Sequence, residues 1–258
     1  MPDNQLSLKQ KYFNLKAIEW DKATREKLIE DFTYHSTKIE GLQLNYGETI
    51  EFLRSGIVKK NTGLKDISDL SNHREVLKMV FASYNDLALN NSTICLIHGI
   101  LMKDRAQWGG YDVIIGGPGK FKFENNFGLR GDGSYKEYMD WERAPIELEH
   151  LCKQTNEQLH SGKSVDTEII NRFHYLFINE IHPFGDGNGR MARLLHNLLL
   201  LKKGYPVVVI KDDQKHTYIT ALIEQERNPK GNAFNKFMDE QLEVAIENAI
   251  AKRKDGNN

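Results

Sequence analysis

The feature that most constrains this chain is a twelve-residue run at positions 182–193, which reads His-Pro-Phe-Gly-Asp-Gly-Asn-Gly-Arg-Met-Ala-Arg. Its three glycines alternate with polar or charged residues, so the backbone is free to adopt positive φ and to approach a ligand with no Cβ in the way. The next residues, 190–203, carry leucines at helical spacing, and Gly204 and Pro206 then end the pattern. The run therefore predicts a glycine-rich turn at a helix N-terminus, where unpaired N–H groups and the helix dipole attract anions.

Four side chains of this run are candidates for phosphate chemistry. Arg190 and Arg193 project from nearly one face of the helix's first turn, where the dipole disfavours positive charge and a bound anion would offset that cost. Asp186 is either a helix cap or a Mg²⁺ ligand shared with phosphate oxygens. His182 ends the preceding predicted helix and, with an ordinary pKa of about 6.5, is a candidate general base. Each residue alone is more often structural, but the set together is hard to explain by structure.

The run resembles, at every specified position, the signature of the Fic family, His-x-Phe-x-Asp/Glu-Gly-Asn-Gly-Arg-x-x-Arg. The resemblance extends more weakly from about Phe32 to about Phe237. It implies an all-α fold, a Fic-type helical domain with a small β-hairpin called the flap. It also implies an activity, the transfer of AMP from ATP to a hydroxyl side chain of a target protein.

The resemblance further implies a role for each position of the signature. His182 would deprotonate the incoming Ser, Thr or Tyr hydroxyl, and Phe184 would pack inward and hold the loop. Asp186 would bind a Mg²⁺ ion that bridges the α- and β-phosphates. Arg190 would neutralise phosphate charge and Arg193 would reach the γ-phosphate, so both join His182 in the catalytic set. The predicted nucleotide-binding residues of the run are Gly185, Gly187, Asn188, Gly189, Arg190 and Arg193.

A second match lies far upstream, where residues 36–41 read Ser-Thr-Lys-Ile-Glu-Gly and resemble the family's inhibitory motif, Ser/Thr-x-x-x-Glu-Gly/Asn. In relatives with this motif, the glutamate pairs with the second arginine of the signature and blocks the γ-phosphate position. The resemblance assigns this inhibitory role to Glu40, opposite Arg193, with Ser36 as the first residue of the motif. A carboxylate suits the role because it mimics a phosphate and can bind a guanidinium bidentately. The alternative is a plain last helical turn ended by Gly41.

Residues 108–140 form a third element. Two short β-type runs, 111–115 and 120–123, flank the turn Gly-Gly-Pro-Gly at 116–119, which is typical of a hairpin. In the family, a hairpin here aligns the target's backbone by strand addition. We therefore expect an unidentified target protein to bind around residues 111–123, with a plain surface hairpin as the alternative. Residues 127–133 are expected to be loose, and they do not resemble the proline-rich segment of related proteins.

The remaining chain is mostly helical by its pattern. The predicted helices span 21–41, 48–54, 69–89, 93–102, 144–159, 166–181, 190–203, 215–225 and 233–251. Residues 207–210 form either a strand or an extended linker. We expect an N-terminal helical region with the inhibitory motif (1–56), a Fic catalytic core (57–251) and a disordered tail (252–258). Tyr218 lies where family members place groups around adenine and ribose, and it either contacts the nucleotide or packs in the core.

Composition argues against several other classes of protein. The chain has 35 basic and 36 acidic residues, a balance that gives no overall field for nucleic acid or an anionic membrane. No apolar run approaches the roughly 18–20 residues of a membrane span, and the N-terminus lacks the layout of a secretory signal. With only two cysteines, a reducing cytoplasm is the expected location. We expect no nucleic-acid and no membrane partner, and the oligomeric state stays open.

Three functions compete on this sequence. The leading hypothesis is an ATP- and Mg²⁺-dependent protein adenylyltransferase that modifies a target protein and itself, and that Glu40 holds inactive. A hydrolase with the same site, in which Glu40 positions water, would instead remove AMP from a modified protein. The third is a non-catalytic nucleotide-binding regulator, against which His182 argues because binding alone needs no general base. A donor other than ATP also remains open, since the base is selected outside the run.

Overall fold

The computed structural model describes residues 8–14, 22–58, 61–104, 116–129 and 134–255 of the 258-residue chain. In chain order, its α-helices are α1 (Leu8–Asn14), α2 (Lys22–Ile39), α3 (Tyr46–Ser55), α4 (Leu64–Ser83), α5 (Asn91–Leu101), α6 (Ala144–Ser161), α7 (Asp166–Tyr175), α8 (Asn188–Lys202), α9 (Lys215–Arg227) and α10 (Ala233–Asp255). A π-helical segment (Leu176–Ile181) continues α7, and a 3₁₀ turn (Asp212–Gln214) precedes α9. The strands β1 (Phe127–Leu129) and β2 (Tyr135–Glu137) form one antiparallel pair. The expected all-α fold with a small hairpin is confirmed.

Helix α8 lies at the centre of the fold. Between Asn188 and Leu200, every residue except Gly189 is buried. A helix that is buried nearly all round must be enclosed by other helices. It is packed against α7 and α2, and the main core that surrounds it includes Phe173 of α7 and Phe32 of α2. The signature run therefore leads into α8, a helix that cannot shift without disturbing the core packed around it.

The N-terminal region is part of this core. Ile29 and Ile39 of α2 belong to the same apolar cluster as α8, and a second cluster of Tyr34, Leu42 and Leu53 joins α2 to the segments around α3. The domain boundary at residue 56 stays a prediction. The residues before this boundary nevertheless bury apolar surface against the rest of the chain, and this burial stabilises the position of α2.

Local signals explain where several helices begin and end. Asn45 and Glu48 form a reciprocal capping box at the start of α3, and Gly56, with φ 74°, ends it. The Asn90 side chain caps α5 by accepting a hydrogen bond from the Thr93 N–H. Gly41, with φ 101°, follows the end of α2. The glycines thus stand where left-handed backbone is required.

The hairpin was predicted in the wrong place. Residues 111–115 lie outside the described ranges, and 120–123 do not form a strand. Lys122 N–H instead donates to Pro183 O (3.0 Å), and the Phe121 ring stacks on Phe184. The backbone of this segment therefore bonds to the signature loop, and the β-pairing lies further along, between β1 and β2. Part of the region expected to be loose, 127–129, is thus a strand.

Three smaller differences concern the rest of the chain. Residues 207–210 are extended but form no strand. The backbone N–H and C=O of Val208 form hydrogen bonds with the Asn197 side chain, and not with a neighbouring strand. Helix α10 continues to Asp255 and so includes the first four residues of the predicted tail, 252–255. Helix α1 was not predicted, and it buries Tyr12 in the main core. No helix of the described ranges is both long and apolar enough to cross a bilayer.

The contact between Asn197 and Val208 gives a stability prediction. Asn197 Nδ2 donates to Val208 O (2.9 Å), and its Oδ1 accepts from Val208 N–H (2.7 Å). Asn197→Ala would leave both buried backbone groups without these partners, so we expect a loss of about 2–4 kcal/mol in the free energy of unfolding. Urea denaturation would measure it, with the exposed Gln154→Ala on α6 as control. A change within about 0.5 kcal/mol, equal to that of the control, would contradict this role.

Candidate active site

A π-helical turn presents the histidine of the signature. The segment Leu176–Ile181 ends at His182, whose backbone is left-handed with φ 46° and ψ 61°. Such turns, and non-glycine residues with positive φ, concentrate at functional sites. The His182 N–H donates to Phe177 O (2.9 Å), and its ring Nδ1 lies 2.7 Å from Ile178 O. Both contacts fix the imidazole at the end of the turn.

The partner of His182 Nδ1 decides which ring nitrogen carries the proton. A carbonyl oxygen only accepts, so Nδ1 is the N–H donor and Nε2 is the unprotonated nitrogen. Burial lowers the pKa of His182 to about 4; Lys122 adds to this, while the bond to Ile178 and the charges of Glu40 and Asp186 oppose it. The ring is therefore neutral at pH 7 and suited to accept a proton at Nε2.

The loop after His182 is held from inside by Phe184. Its ring is fully buried and stacks on His98 of α5 at a centroid distance of 3.7 Å. The Asn188 side chain closes the loop: its Oδ1 accepts from the Phe184 N–H (3.0 Å) and its Nδ2 donates to Phe184 O (2.8 Å). Asn126 donates to the same carbonyl (3.0 Å). These contacts match the anchoring role expected of Phe184.

His98 links the loop to the segment before the hairpin. Its Nδ1 accepts from the Gly119 N–H, and its Nε2 donates to Asp186 O, both at 3.0 Å. This pattern needs the neutral ring, since a protonated ring has no acceptor for Gly119. Burial lowers the pKa of His98 to about 4. The loop that carries Asp186 is thus held by an uncharged imidazole.

The turn at the start of α8 contains glycines, which have no side chain of their own to cover the backbone. Gly187 has φ 79°, and a Cβ there would meet Met102 Sδ at 2.9 Å, so glycine is required on both grounds. A Cβ on Gly189 would collide with Glu40 Oε1. The Glu40 carboxylate therefore lies directly over the first turn of α8, where the helix N-terminus attracts anions.

Arg190 is buried and forms ion pairs inside the protein. It is 1 % exposed, donates to Asp69 Oδ1 of α4 (3.0 Å), and lies 3.4 Å from Asp186 Oδ2. The Asp69 and Asp186 charges outweigh the effect of burial and raise its pKa. In this structure it is buried behind the cavity wall and holds Asp186, so direct contact with phosphate stays a prediction.

Arg193 contacts the segment that resembles the inhibitory motif. Its Nε donates to Ser36 Oγ (3.0 Å), and one terminal nitrogen donates to Ser36 O (2.9 Å) and to Glu40 Oε1 (2.7 Å). The guanidinium is buried, whereas the Glu40 side chain is 39 % exposed. Burial opposes ionisation of Glu40, but the charges of Arg193 and Arg190 outweigh it and lower its pKa. At neutral pH the pair is charged.

These groups meet in one cavity of about 390 Å³. Predicted site residues on its wall are Glu40, His182, Gly185, Asp186, Gly187, Asn188, Gly189, Arg193 and Tyr218. The hairpin side contributes Lys136 and Tyr138, and α9 contributes Ile219 and Glu226. Arg190 and Ser36 lie buried behind this wall. The structure thus brings the predicted residues together, although they come from distant parts of the chain.

Tyr218 is fully buried, and its hydroxyl lies 2.8 Å from His174 Nε2. Its ring neighbours Phe234 and Phe237, and burial raises its pKa. These contacts agree with core packing, the second of the two interpretations. Contact with a nucleotide remains a prediction.

Several residues at the site were not identified from the sequence. Asp69 pairs with Arg190, His98 holds the Asp186 loop, and the Tyr138 ring stacks on His182 at 3.7 Å. A histidine inside the apolar stretch 93–102 is a signal that could have drawn attention to His98. Nothing in the local pattern singles out Asp69 or Tyr138.

Comparison with known proteins agrees with this geometry. The Fic/DOC family profile matches residues 88–200. A solved Fic-domain-containing signaling protein from Bacteroides thetaiotaomicron superposes with a TM-score of 0.81 at 27 % identity, covering 93 % of this chain and 92 % of that one. The chain belongs to the Fic/DOC family. Fic-1 from C. elegans, at 20 % identity, shares the fold with a TM-score of 0.78 over 96 % of this chain and 71 % of that one.

Curated relatives of this Fic protein carry a functional name. The "Protein adenylyltransferase Fic" of Drosophila yakuba is 31 % identical over 189 residues, which are 72 % of this chain and 34 % of that protein. The chain therefore spans about a third of the length of such relatives.

We expect buried neutral histidines to make the stability of this Fic protein dependent on pH. His73, His98, His174 and His196 are at most 3 % exposed, and burial lowers the pKa of all four, to about 4 for His98 and about 3 for His196. Below the unfolded pKa of about 6.5, the unfolded chain binds protons that the folded chain does not. We expect the free energy of unfolding to fall as pH drops from 6.5 towards 4, by about 1.4 kcal/mol per unit for each histidine.

Urea denaturation between pH 7.5 and 5.5 would measure this slope. His196→Gln is the matched variant, because it keeps an uncharged polar side chain that does not titrate. Its slope should be smaller than that of the unmodified protein by about one proton. A stability that stays flat or rises as the pH is lowered would contradict the prediction.

Proposed function

We propose that this protein is a protein adenylyltransferase, which moves AMP from ATP to a Ser, Thr or Tyr hydroxyl of a target protein and of itself. The observation that carries the proposal is the shared cavity, whose wall includes both His182 and the anion-attracting N-terminus of α8. A base and a phosphate site on one wall are the two parts that transfer to a hydroxyl requires. The name of the Drosophila relatives supports AMP as the transferred group.

The residues present suit the individual steps. Nε2 of His182 takes the proton of the acceptor hydroxyl as its oxygen attacks the α-phosphorus, and pyrophosphate leaves with the electrons of the broken P–O bond. The backbone of Gly187 and Gly189, at the start of α8, faces the phosphates, and Arg193 stabilises their charge. One terminal nitrogen of Arg193 lies 3.3 Å from the position that a Cβ on Gly189 would take, beside the cavity. That buried donor is suited to a phosphate oxygen.

Mg²⁺ fits this site as an ion that enters with the nucleotide. Within the described ranges, no group of three His, Cys, Asp or Glu side chains could hold a metal by itself. Asp186 supplies a single carboxylate at the cavity wall, with Arg190 fixing one oxygen and the Gly187 N–H the other. Mg²⁺ is often held by one or two carboxylates together with substrate phosphates and water. Asp186 would hold the ion, which would neutralise charge on the phosphates.

Glu40 is proposed as an internal inhibitor. Its carboxylate is paired with Arg193 and lies over Gly189, so it fills the position that suits a phosphate. Because a phosphate and a carboxylate compete for the same guanidinium, Glu40 would have to leave before a triphosphate binds fully.

The acceptor side is proposed from the family resemblance. We expect the target protein to approach along residues 111–123, of which the structure describes 116–123. Modification of hydroxyls of the protein itself would then follow from their high local concentration at the site.

The restraint by Glu40 gives the central functional prediction. Glu40→Gly removes the competing carboxylate, so we expect AMP incorporation from α-labelled ATP to rise by about 5- to 150-fold. Glu40→Gln, which keeps the size but not the charge, should give a smaller rise. Glu40→Gly/His182→Ala should be about 10²- to 10⁴-fold slower than Glu40→Gly, since it lacks the base. Intact-mass analysis after incubation with Mg²⁺ and ATP would follow the addition.

The same variants separate transfer from hydrolysis. If Glu40 positions water, Glu40→Gly would lose removal of AMP from a modified protein and gain no transfer. Equal and low incorporation in the wild type and Glu40→Gly, with ATP bound by both, would contradict the adenylyltransferase proposal.

Metal dependence is a further prediction. Incorporation in Glu40→Gly should be abolished by excess EDTA and restored by added Mg²⁺. Asp186→Asn removes the carboxylate charge, so we expect it to raise the Mg²⁺ concentration needed for half-maximal activity by about tenfold or more. The exposed Asp140→Asn on the hairpin side is a matched control. An unchanged Mg²⁺ requirement in Asp186→Asn would exclude this carboxylate as the ligand.

A further inference from the structure

The hairpin places an aromatic ring on the face of the candidate base. Tyr138 follows β2 directly, and its ring is stacked on the His182 imidazole with the centroids 3.7 Å apart and the planes 13° apart. On the other side, a Cβ added to Gly128 of β1 would lie 2.6 Å from the Tyr138 hydroxyl and 3.2 Å from its Cζ. The tyrosine is therefore held between the imidazole and the bare backbone of the facing strand.

The segment around Tyr138 is anchored at several points. The Tyr138 N–H donates to Asn126 O (3.4 Å), and the Met139 N–H donates to Glu180 O (3.0 Å) on the π-helical segment. Lys136 is paired with Glu226 of α9 at 2.8 Å. These contacts tie the hairpin to the same elements that position His182, so the two rings are held in a fixed relation.

Stacking covers the face of the imidazole but leaves its edge open. The Nδ1 edge is bonded to Ile178 O, and the lone pair of Nε2 lies in the ring plane, away from the covered face. An acceptor hydroxyl must approach in that plane. Stacking on Tyr138 fixes the plane of the imidazole, and the hydrogen bond from Nδ1 to the Ile178 carbonyl prevents rotation within that plane. Nε2 therefore has a single orientation.

We propose that Tyr138 is a positioning residue for transfer at His182: its stacked ring fixes the plane of the imidazole and keeps water from its face. Gly128 is the second part of this device, because only glycine leaves room for the tyrosine ring. The inference rests on the proposed function, in which His182 is the base. Its chemical basis is general: a misplacement of about 1 Å at a reacting group reduces rates by about a hundredfold.

The test compares four variants in the active Glu40→Gly background. Tyr138→Ala removes the stack, Tyr138→Phe keeps it without the hydroxyl, and Gly128→Ala displaces it with the tyrosine intact. Tyr135→Ala, three residues earlier on β2 and 72 % exposed, is the control. At pH 7.5, Tyr138→Ala should lower kcat by about 10- to 100-fold and change the KM for Mg²⁺–ATP by less than about threefold. Tyr138→Phe and Tyr135→Ala should retain kcat, and Gly128→Ala should fall between.

A second measurement does not depend on activity. NMR titration of the His182 ring reports its exposure to water, since burial holds its pKa near 4. The titration is repeated in Tyr138→Ala with Glu40 present, so that the charged groups around the ring are unchanged. These groups are Lys122, Glu40 and Asp186. In that variant the pKa should rise towards the ordinary value of about 6.5, and in Tyr138→Phe it should stay low. At pH 7.5 the imidazole is neutral in either case, so the loss of kcat reports positioning.

The outcomes are distinct. Unchanged kcat and unchanged His182 pKa in Tyr138→Ala would overturn the proposal. Equal losses in Tyr138→Phe and Tyr138→Ala would also overturn it, because they would assign the effect to the hydroxyl. A raised KM for Mg²⁺–ATP with an unshifted pKa would make Tyr138 a nucleotide contact instead. If Glu40→Gly itself transfers no AMP, the proposed function fails, and the titration alone decides whether Tyr138 controls His182.

Discussion

Two buried guanidinium groups on the central helix determine how the N-terminal half of the chain is packed. Arg190 and Arg193 are at most 2 % exposed, and an uncompensated buried charge costs several kcal/mol. Compensation comes from Asp69 of α4 for Arg190 and from Glu40, beside α2, for Arg193. These two ion pairs hold α4 and the end of α2 to the first turn of α8. The segment that resembles the inhibitory motif, residues 36–41, is consequently part of the core packing.

The loop between His182 and α8 is held in a different way, by neutral groups. Phe184 packs on His98, and the Asn188 side chain closes the loop on its own backbone. Because His98 is uncharged, it orients the Asp186 backbone without adding positive charge beside a carboxylate that would bind Mg²⁺. The site thus separates its tasks: buried charges locate the helices, and neutral side chains shape the loop between them.

The sequence predicted the parts whose signals are local. Leucine spacing and Gly204 delimited α8, Gly41 marked the end of α2, and several residues of the signature line one cavity. It failed where contacts join distant positions, since His98 meets the Asp186 backbone 88 residues away and Asp69 meets Arg190 121 residues away. The misplaced hairpin has a related cause. A pattern of β-type residues cannot tell whether their backbone groups pair with a strand or, as at Lys122, with a neighbouring loop.

The division of contacts at Arg193 bears on how inhibition would be released. Two of its hydrogen bonds go to Ser36, and one goes to Glu40. If Glu40 leaves, Ser36 still holds the guanidinium in place, so the arginine stays oriented for an incoming phosphate. Glu40 follows the last residue of α2, precedes a glycine at φ 101°, and has a side chain 39 % exposed. Its displacement therefore needs a side-chain movement at a helix end and not the unpacking of α2. On this reasoning, the proposed inhibition would be a local competition between one carboxylate and a phosphate for an arginine that is already in position.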